Sequence, residues 1–275
     1  MPRKIATATG SLFPARAIYY LHPPVATLPR PLAPKQKHSE VKLTPTERAN
    51  EVNAYEILKK YGCIYEGHFV GVSTKHLAGY CNIDPLIPHV TEVGILIHEL
   101  VSKFTDCKIQ VVASPAIGAI PFAHWGAQHL MSATGGDILG VWADKVSGAE
   151  ERKFIFEREG FAQAVKGKRV LILEDMINQM KSVKAMIETV TAAGGTVVGV
   201  GCIAANRGVS AEALGVPSFH KLASVEYDSW TFEDCMHSGL CSKHVPIVED
   251  IGHGHGFKLE NPDYSGGYVK LLSVE

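Results

Sequence analysis

Hydrophobic residues along this chain fall into short continuous runs that alternate with longer amphipathic stretches. The runs have the length and β-branched content of strands buried on both faces, and they cover Lys108–Ala113, Ile138–Ala143, Val170–Leu173, Thr196–Ala205 and Phe219–Val225. Between them apolar residues recur every three or four positions, which predicts helices, most clearly over residues 89–104, 117–131 and 180–193. This alternation predicts an α/β fold with a doubly wound, mainly parallel sheet flanked by helices.

The two ends of the chain depart from this alternation. Residues 1–43 are rich in proline and basic residues, which predicts an extended N-terminal arm, with an organelle-targeting segment as the alternative. The segment 44–47, Thr-Pro-Thr-Glu, supplies an N-cap, a first-position proline and a capping-box acid, so a helix should begin there. Residues 251–275 are rich in glycine and histidine and are predicted to form a C-terminal tail. The main domain is therefore predicted to cover residues 44–250.

Composition and charge indicate one globular domain and argue against binding to nucleic acid or to a membrane. A chain of 275 residues with 46% hydrophobic residues can bury the core of one such domain. The formal net charge of -1 argues against a broad nucleic-acid-binding surface, and every apolar run is far shorter than the roughly 20 residues of a membrane-spanning helix. The six cysteines are scattered through mostly apolar segments, which is typical of reduced core thiols. We therefore expect a soluble, cytoplasmic protein that binds neither nucleic acid nor membrane.

Two adjacent acids, Glu174 and Asp175, follow an apolar run and precede a short loop and a helix. Ligands of open α/β sheets bind beyond the carboxyl ends of the strands, so this unit predicts a ligand site. Paired carboxylates can hold sugar hydroxyls, coordinate a hard cation, or stabilise positive charge that develops on a reacting sugar. The alternative is a solvated strand end whose acids cap the following turn.

A second group of candidate metal ligands lies near the C-terminal end of the main domain. Cys235 and Cys241 are close in sequence to His237 and His244, and zinc binds both residue types. Their spacing fits no standard zinc finger. We therefore interpret the cysteines as packing or turn residues, and zinc binding by these four residues is the alternative.

Several segments resemble, in the same order, the motifs of the type I phosphoribosyltransferases, and the closest resemblance is to the orotate enzymes. The family signature is an apolar strand, two acids and a small loop that opens a helix, which matches residues 170–182. Six further segments resemble that family: Gly67–His76, Tyr80–Asp84, Ser114–Pro121, Ala143–Lys145, Arg158–Phe161 and Asn206–Arg207. The resemblance implies the fold of this family, in which N-terminal and C-terminal segments form a small hood.

The resemblance also implies an enzyme, a pentosyltransferase of pyrimidine nucleotide biosynthesis. It would use Mg²⁺ and convert orotate and phosphoribosyl pyrophosphate into orotidine 5′-monophosphate and pyrophosphate. The family further implies a homodimer. Two alternatives stay open: a phosphoribosyltransferase for another nucleobase, and a non-catalytic nucleotide-binding or regulatory relative.

Matching positions imply roles for four residues outside the signature. Lys75 would lie near the pyrophosphate and the base, and Lys145 would belong to a mobile loop that closes over the site and neutralises departing pyrophosphate. Gly118 would lie on the pyrophosphate side, and Arg207 would pair with the orotate carboxylate in a bidentate contact. The simpler alternatives are a solvated lysine, a charged surface hairpin, an ordinary strand-to-helix turn and a surface ion pair.

The signature itself departs from the family pattern in its phosphate loop. In relatives this loop is rich in threonine and glycine, whose amides and hydroxyls wrap a 5-phosphate at a helix N-terminus. Here the loop reads Asn178, Gln179, Met180, Lys181 and Ser182. The resemblance assigns these five residues to phosphoribosyl pyrophosphate, and Lys181 would replace hydroxyl donors with a full positive charge. It assigns the acids at 174 and 175 to the ribose hydroxyls and to Mg²⁺, directly or through water.

Overall fold

The computed structural model of the protein describes residues 54–71, 73–149 and 151–271. The predicted arm and the predicted start of the first helix lie outside these residues. The strands are β1 (Ile64–Val70), β2 (His76–Cys81), β3 (Val111–Pro115), β4 (Leu139–Lys145), β5 (Phe154–Ile155), β6 (Arg169–Ile177), β7 (Thr196–Ala205), β8 (Phe219–Ser224), β9 (Ser229–Trp230), β10 (Ile247–Val248) and β11 (Tyr268–Val269). The helices are α1 (54–60), α2 (Val90–Ser102), α3 (Ile120–Thr134), α4 (Phe161–Val165), α5 (Lys181–Ala192), α6 (Ala211–Leu214), α7 (Phe232–Ser238) and α8 (Gly254–Glu260).

Six strands form the main sheet in the order β5-β4-β3-β6-β7-β8, and neighbouring strands are parallel except for β4 and β5. Side chains of β6 point alternately to the two faces. Leu171 and Leu173 pack into a core with α2 and α3, whereas Val170 and Ile172 pack into another core with α5. Each of these side chains contributes roughly 1.5–3 kcal/mol relative to full exposure. The predicted doubly wound, mainly parallel sheet is confirmed.

Five short strands form a second sheet, the hood, in the order β11-β10-β1-β2-β9. β1 and β2 are an antiparallel hairpin, and the other three strands come from the C-terminal part of the chain. Phe69, Val248 and Ile251 form a small apolar cluster beneath this sheet. A hood built from N-terminal and C-terminal segments is therefore confirmed. The segment predicted as a tail contributes α8 and β11 to it.

Two element boundaries position the polar residues of interest. β6 continues to Ile177 because it stays paired with β7 along its whole length, so Glu174 and Asp175 lie inside the strand. α3 begins at Ile120, three residues after the predicted start, which leaves a loop between β3 and the helix.

None of the helices in the described ranges is long and apolar enough to span a membrane.

Candidate active site

A cavity of about 540 Å³ lies between the ends of β6 and β7 and the hood. This volume is in the range of small-molecule sites, and the carboxyl end of a parallel sheet is the place where such sites form. The cavity is lined by the two acids, by Lys75 and by the whole phosphate loop, residues 178–182. Other lining residues are Ser73, Tyr80, Arg152, Asn206, Gly208 and Tyr227.

The two acids in this cavity carry unusual pKa values. Glu174 is buried and Asp175 is half-buried, and neither makes an ion pair with Lys, Arg or His within the described ranges. Burial raises the pKa of Glu174 well above its ordinary value, and the neighbouring Asp175 adds to that shift. Burial also raises the pKa of Asp175 to about 6, although the Met176 backbone N–H, which donates to Asp175 Oδ1 at 2.6 Å, opposes the shift. A cation or hydroxyl donors bound here would therefore be stabilised strongly.

Gly118 borders the acids from the loop between β3 and α3. A Cβ atom at this position would lie 3.1 Å from Asp175 Oδ2 and 3.9 Å from Asp84 Oδ1. Such a contact is tighter than most side chains accept, so glycine lets the loop approach the carboxylate closely. The structure thus brings together the signature strand and the loop that the sequence assigns to the pyrophosphate side.

The phosphate loop has a backbone conformation that usually requires glycine, although it contains no glycine. Met180 has a φ of 60°, in the left-handed region that favours glycine, and α5 begins at the next residue. Met180, the N-cap residue of α5, makes no side-chain capping hydrogen bond. The backbone N–H groups of its first turn are therefore available to an anion, and the helix dipole favours negative charge at that end. Lys181 and Ser182 begin this turn beside the cavity.

A hairpin between β4 and β5 carries the basic residues of the predicted mobile loop. Lys145 ends β4, is exposed and is not among the residues that line the cavity. Arg152 on the returning arm does line it and donates a hydrogen bond to Ser182 Oγ in the phosphate loop. The structure therefore brings Arg152, rather than Lys145, to the phosphate end of the cavity.

Arg207 lies just beyond β7 but outside the cavity lining. Its Nε atom is 3.3 Å from Glu226 Oε2, and both side chains are about half exposed. Its neighbours Asn206 and Gly208 do line the cavity. The guanidinium is therefore close to the site in sequence and is held by a surface carboxylate in this structure.

Sequence reasoning missed the aromatic residue that closes the hood side of the cavity. Tyr227 packs on Gly79, where a Cβ would meet its ring at 2.2 Å, and its hydroxyl donates to the carbonyl O of Tyr80 at 3.1 Å. On the opposite rim the Gln179 side chain donates to Ser73 Oγ, which joins the phosphate loop to the hood turn before Lys75. Both contacts join residues far apart in the chain, so no local pattern indicates them.

Comparison with known proteins was made by sequence and by structure. No protein-family model matches the chain. Orotate phosphoribosyltransferase of Caldanaerobacter subterraneus is 32% identical over 194 residues, which cover 70% of this chain and 93% of that protein. The enzyme of the same name from Pelotomaculum thermopropionicum is 31% identical over 193 residues, with the same coverage.

A crystal structure of orotate phosphoribosyltransferase from Aeropyrum pernix has a TM-score of 0.48 at 20% identity, covering 66% of this chain and 95% of that one. The family assignment rests on the sequence relatives, because they match over nearly their whole length. The signature strand, its acid pair and the cavity that they border lie within one domain of the fold described above. The chain belongs to the orotate phosphoribosyltransferase family of type I phosphoribosyltransferases.

Proposed function

We propose that this protein transfers the 5-phosphoribosyl group of phosphoribosyl pyrophosphate to N1 of orotate. The observation that carries the proposal is that two adjacent acids without an ion pair in the described ranges, the N-terminus of α5 and Lys75 meet around one cavity. The substrate contains a diol, a phosphate and a pyrophosphate, and these three sets of residues complement those three groups. The relatives named above support orotate as the base.

In this proposal Glu174 and Asp175 hold the ribose hydroxyls and Mg²⁺, directly or through water. Carboxylate oxygens are preferred ligands of Mg²⁺, and the burial that raises the pKa values of both acids favours binding of a cation that would stabilise their charged forms. The residues present therefore fit this ion. Bound Mg²⁺ would neutralise the charge of the pyrophosphate group.

The phosphate groups would bind at the two ends of the cavity. The 5-phosphate would accept hydrogen bonds from the first-turn amides of α5, with Lys181, Ser182 and Arg152 as side-chain donors. Asn178 and Gln179 would complete that loop, while Met180 supplies only its backbone. Lys75 would face the pyrophosphate and the base. Lys145 would contact the departing pyrophosphate after the β4–β5 hairpin bends toward the cavity.

Orotate would be held by its carboxylate. Arg207 can pair with it in bidentate fashion if the guanidinium exchanges Glu226 for the substrate. Asn206 and Gly208, the neighbours of Arg207, line the cavity, so this exchange would need a rotation of one long side chain rather than a movement of β7.

The reaction would then need positioning and electrostatics, without a covalent intermediate. The C1–N1 bond forms, the C1–O bond breaks with both electrons going to pyrophosphate, and the N1 proton of orotate passes to the departing pyrophosphate. The acid pair stabilises the positive charge that develops on the ribose, and the hood keeps water from that centre.

The test is orotate consumption, followed by ultraviolet absorbance, with phosphoribosyl pyrophosphate and Mg²⁺ present and with each omitted in turn. We expect turnover that requires both. The ion pair of Arg207 with Glu226 favours a second candidate, a transferase for a base without a carboxylate. Turnover of such a base with none of orotate would select that candidate, and ligand binding without turnover of any base would overturn the enzyme proposal.

A further inference from the structure

Two histidines and two cysteines meet inside the hood, and none of the four lines the cavity. His68 lies on β1, His76 on β2, Cys235 on α7 and Cys241 at the start of the short 3-10 helix after it. One nitrogen or sulfur atom from each residue lies within 4.8 Å of those of all the others. The exposed fraction of these side chains is 0% for three and 1% for Cys241.

The distances among these atoms are close to those of a tetrahedral zinc site. With Zn–S of about 2.3 Å and Zn–N of about 2.0–2.1 Å, tetrahedral angles put sulfur and nitrogen about 3.5 Å apart. Cys241 Sγ lies 3.4 Å from His76 Nδ1 and 3.8 Å from His68 Nε2, and Cys235 Sγ is also 3.8 Å from His68 Nε2. The two histidine nitrogens are 2.7 Å apart and would separate by about 0.6 Å around an ion.

The surrounding contacts aim the ligand atoms inward. His68 Nδ1 lies 2.9 Å from the carbonyl O of Val245, which can only accept, so this nitrogen carries the proton and the Nε2 lone pair faces the cluster. The Cys241 backbone N–H donates to Cys235 Sγ at 3.2 Å, a contact that stabilises a thiolate. His76 Nε2 has no hydrogen-bond partner within the described ranges, and its ring is fixed by Phe232 and Phe257.

Other histidines near these cysteines are engaged elsewhere. His237 Nδ1 contacts the carbonyl O of Glu233 at 2.7 Å, and His244 Nδ1 contacts Ser265 Oγ at 2.9 Å. Both side chains are exposed, so the grouping suggested by sequence proximity is wrong in its histidines.

We propose that His68, His76, Cys235 and Cys241 bind a structural zinc ion. Two thiolates and two imidazoles in tetrahedral arrangement favour zinc among biological metals, and four buried protein ligands leave no open position for substrate. The site is therefore closed and does not take part in phosphoribosyl transfer.

The hood gives a reason for such an ion. Its strands β9, β10 and β11 contain two residues each, and its own apolar cluster is small, so packing alone provides little stability. The four ligands join the β1–β2 hairpin to the C-terminal segment that carries α7. His76 is also the neighbour of Lys75, and it pairs with Trp230 across β2 and β9. Zinc would thus hold in place the strand that borders the cavity.

The first test is metal content. The full chain, without a histidine tag and purified under reducing conditions, should contain about one zinc per chain by inductively coupled plasma mass spectrometry. Cys235→Ser and Cys241→Ser should each lose most of it. His237→Ala, on the same helix as Cys235, and Cys107→Ser, at a half-exposed thiol, are the matched controls and should keep it.

A wild-type chain that contains no zinc and takes up none when zinc is added would overturn the proposal. Equal loss of zinc from the ligand and control variants would also overturn it. A disulfide between Cys235 and Cys241, found by mass spectrometry of unreduced peptides from freshly purified protein, would replace the zinc site with a redox pair.

A second measurement needs no variant and decides the case in which the serine variants fail to fold. Cobalt added to metal-free wild-type chain should give the visible absorption of tetrahedral Co²⁺ and thiolate charge-transfer bands in the near ultraviolet. Removal of the metal by a chelator should lower Tm by roughly 10 °C. Octahedral cobalt spectra and an unchanged Tm would contradict the proposal, whatever base the enzyme uses.

Discussion

The acid pair near the carboxyl end of β6 and the Cys–His cluster of the hood are two candidate metal sites with different chemistry. Glu174 and Asp175 are neighbours in sequence, offer hard oxygen atoms and border an open cavity. The hood cluster draws four nitrogen and sulfur atoms from four segments and is closed to solvent. Oxygen ligands at an open site suit an ion that arrives with its substrate, whereas a closed set suits an ion that stays with the fold.

The largest effect that separates the two sites is expected from Asp175→Asn. Loss of this carboxylate should lower kcat/KM by about 10²–10³-fold, the usual effect of removing one preorganised electrostatic group. Zinc content should stay unchanged, because the hood cluster does not contact this residue. Asp137→Asn, at an exposed turn before β4, is the control. A loss below about fivefold would remove Asp175 from the chemistry.

The pH dependence of stability should also report on the acid pair. Burial raises the pKa of Asp175 from its ordinary value of 3.8 to about 6 in the folded protein, so the folded state binds the proton more tightly. The free energy of unfolding should therefore fall as pH rises from about 4 to about 6, by on the order of 2–3 kcal/mol. Urea unfolding without Mg²⁺ measures it. Asp175→Asn should reduce this slope and leave the part that comes from Glu174, whose pKa is also raised. A slope that the substitution does not change would assign it to groups other than Asp175.

Arg207→Ala tests whether the surface ion pair is exchanged for substrate. The KM for orotate should rise by about 10–100-fold, because a charge-assisted hydrogen bond usually contributes that much to affinity. The KM for phosphoribosyl pyrophosphate should stay unchanged. Arg158→Ala removes a comparable exposed arginine, which pairs with Asp144, and serves as the control. Equal effects of the two substitutions in steady-state kinetics would leave Arg207 as a surface ion pair.

The smallest effect is expected from Met180→Gly. A left-handed φ costs an ordinary residue about 1 kcal/mol, and glycine removes this cost. The stability gain is offset in part because the half-buried Met180 side chain packs against the core beside α5, so the net change in the free energy of unfolding should stay below about 1 kcal/mol. Removing the side chain beside the phosphate amides should also lower the KM for phosphoribosyl pyrophosphate by about two- to fivefold. Lys108→Gly, at φ 49° outside the cavity, should show the stability gain alone. A raised KM would show that the Met180 side chain assists binding.

The main sheet was predictable because its information is local. Four apolar runs each overlap an observed strand, because each run is continuous and bounded by polar residues. They are 108–113 with β3, 138–143 with β4, 196–205 with β7 and 219–225 with β8. The ends of the strands were predicted less accurately. β6 continues beyond its apolar run because its pairing with β7 extends past the two acids. The acid pair was visible for the same local reason, although its roles stay predictions.

The hood cluster was not predictable in this way. His68 and Cys241 are far apart in the chain, and the strands that bring them together are too short to show an alternating pattern. Sequence proximity instead suggested His237 and His244, whose rings bond elsewhere. The sequence also did not indicate that Arg152, rather than Lys145, reaches the cavity. The pairing of β4 with β5 decides which of these two basic residues does so.

The position of β1 in the middle of the hood has a consequence for synthesis. β1 lies between β2 and β10, and β10 in turn is flanked by β11. During translation β1 leaves the ribosome long before these C-terminal strands, so one of its edges stays unpaired while the main sheet is already able to form. An open edge invites pairing with other chains. The hood is therefore the last part of the molecule to be completed. A chain stopped before residue 247 would contain the residues that line the cavity, but one edge of β1 would stay unpaired and free to pair with other chains.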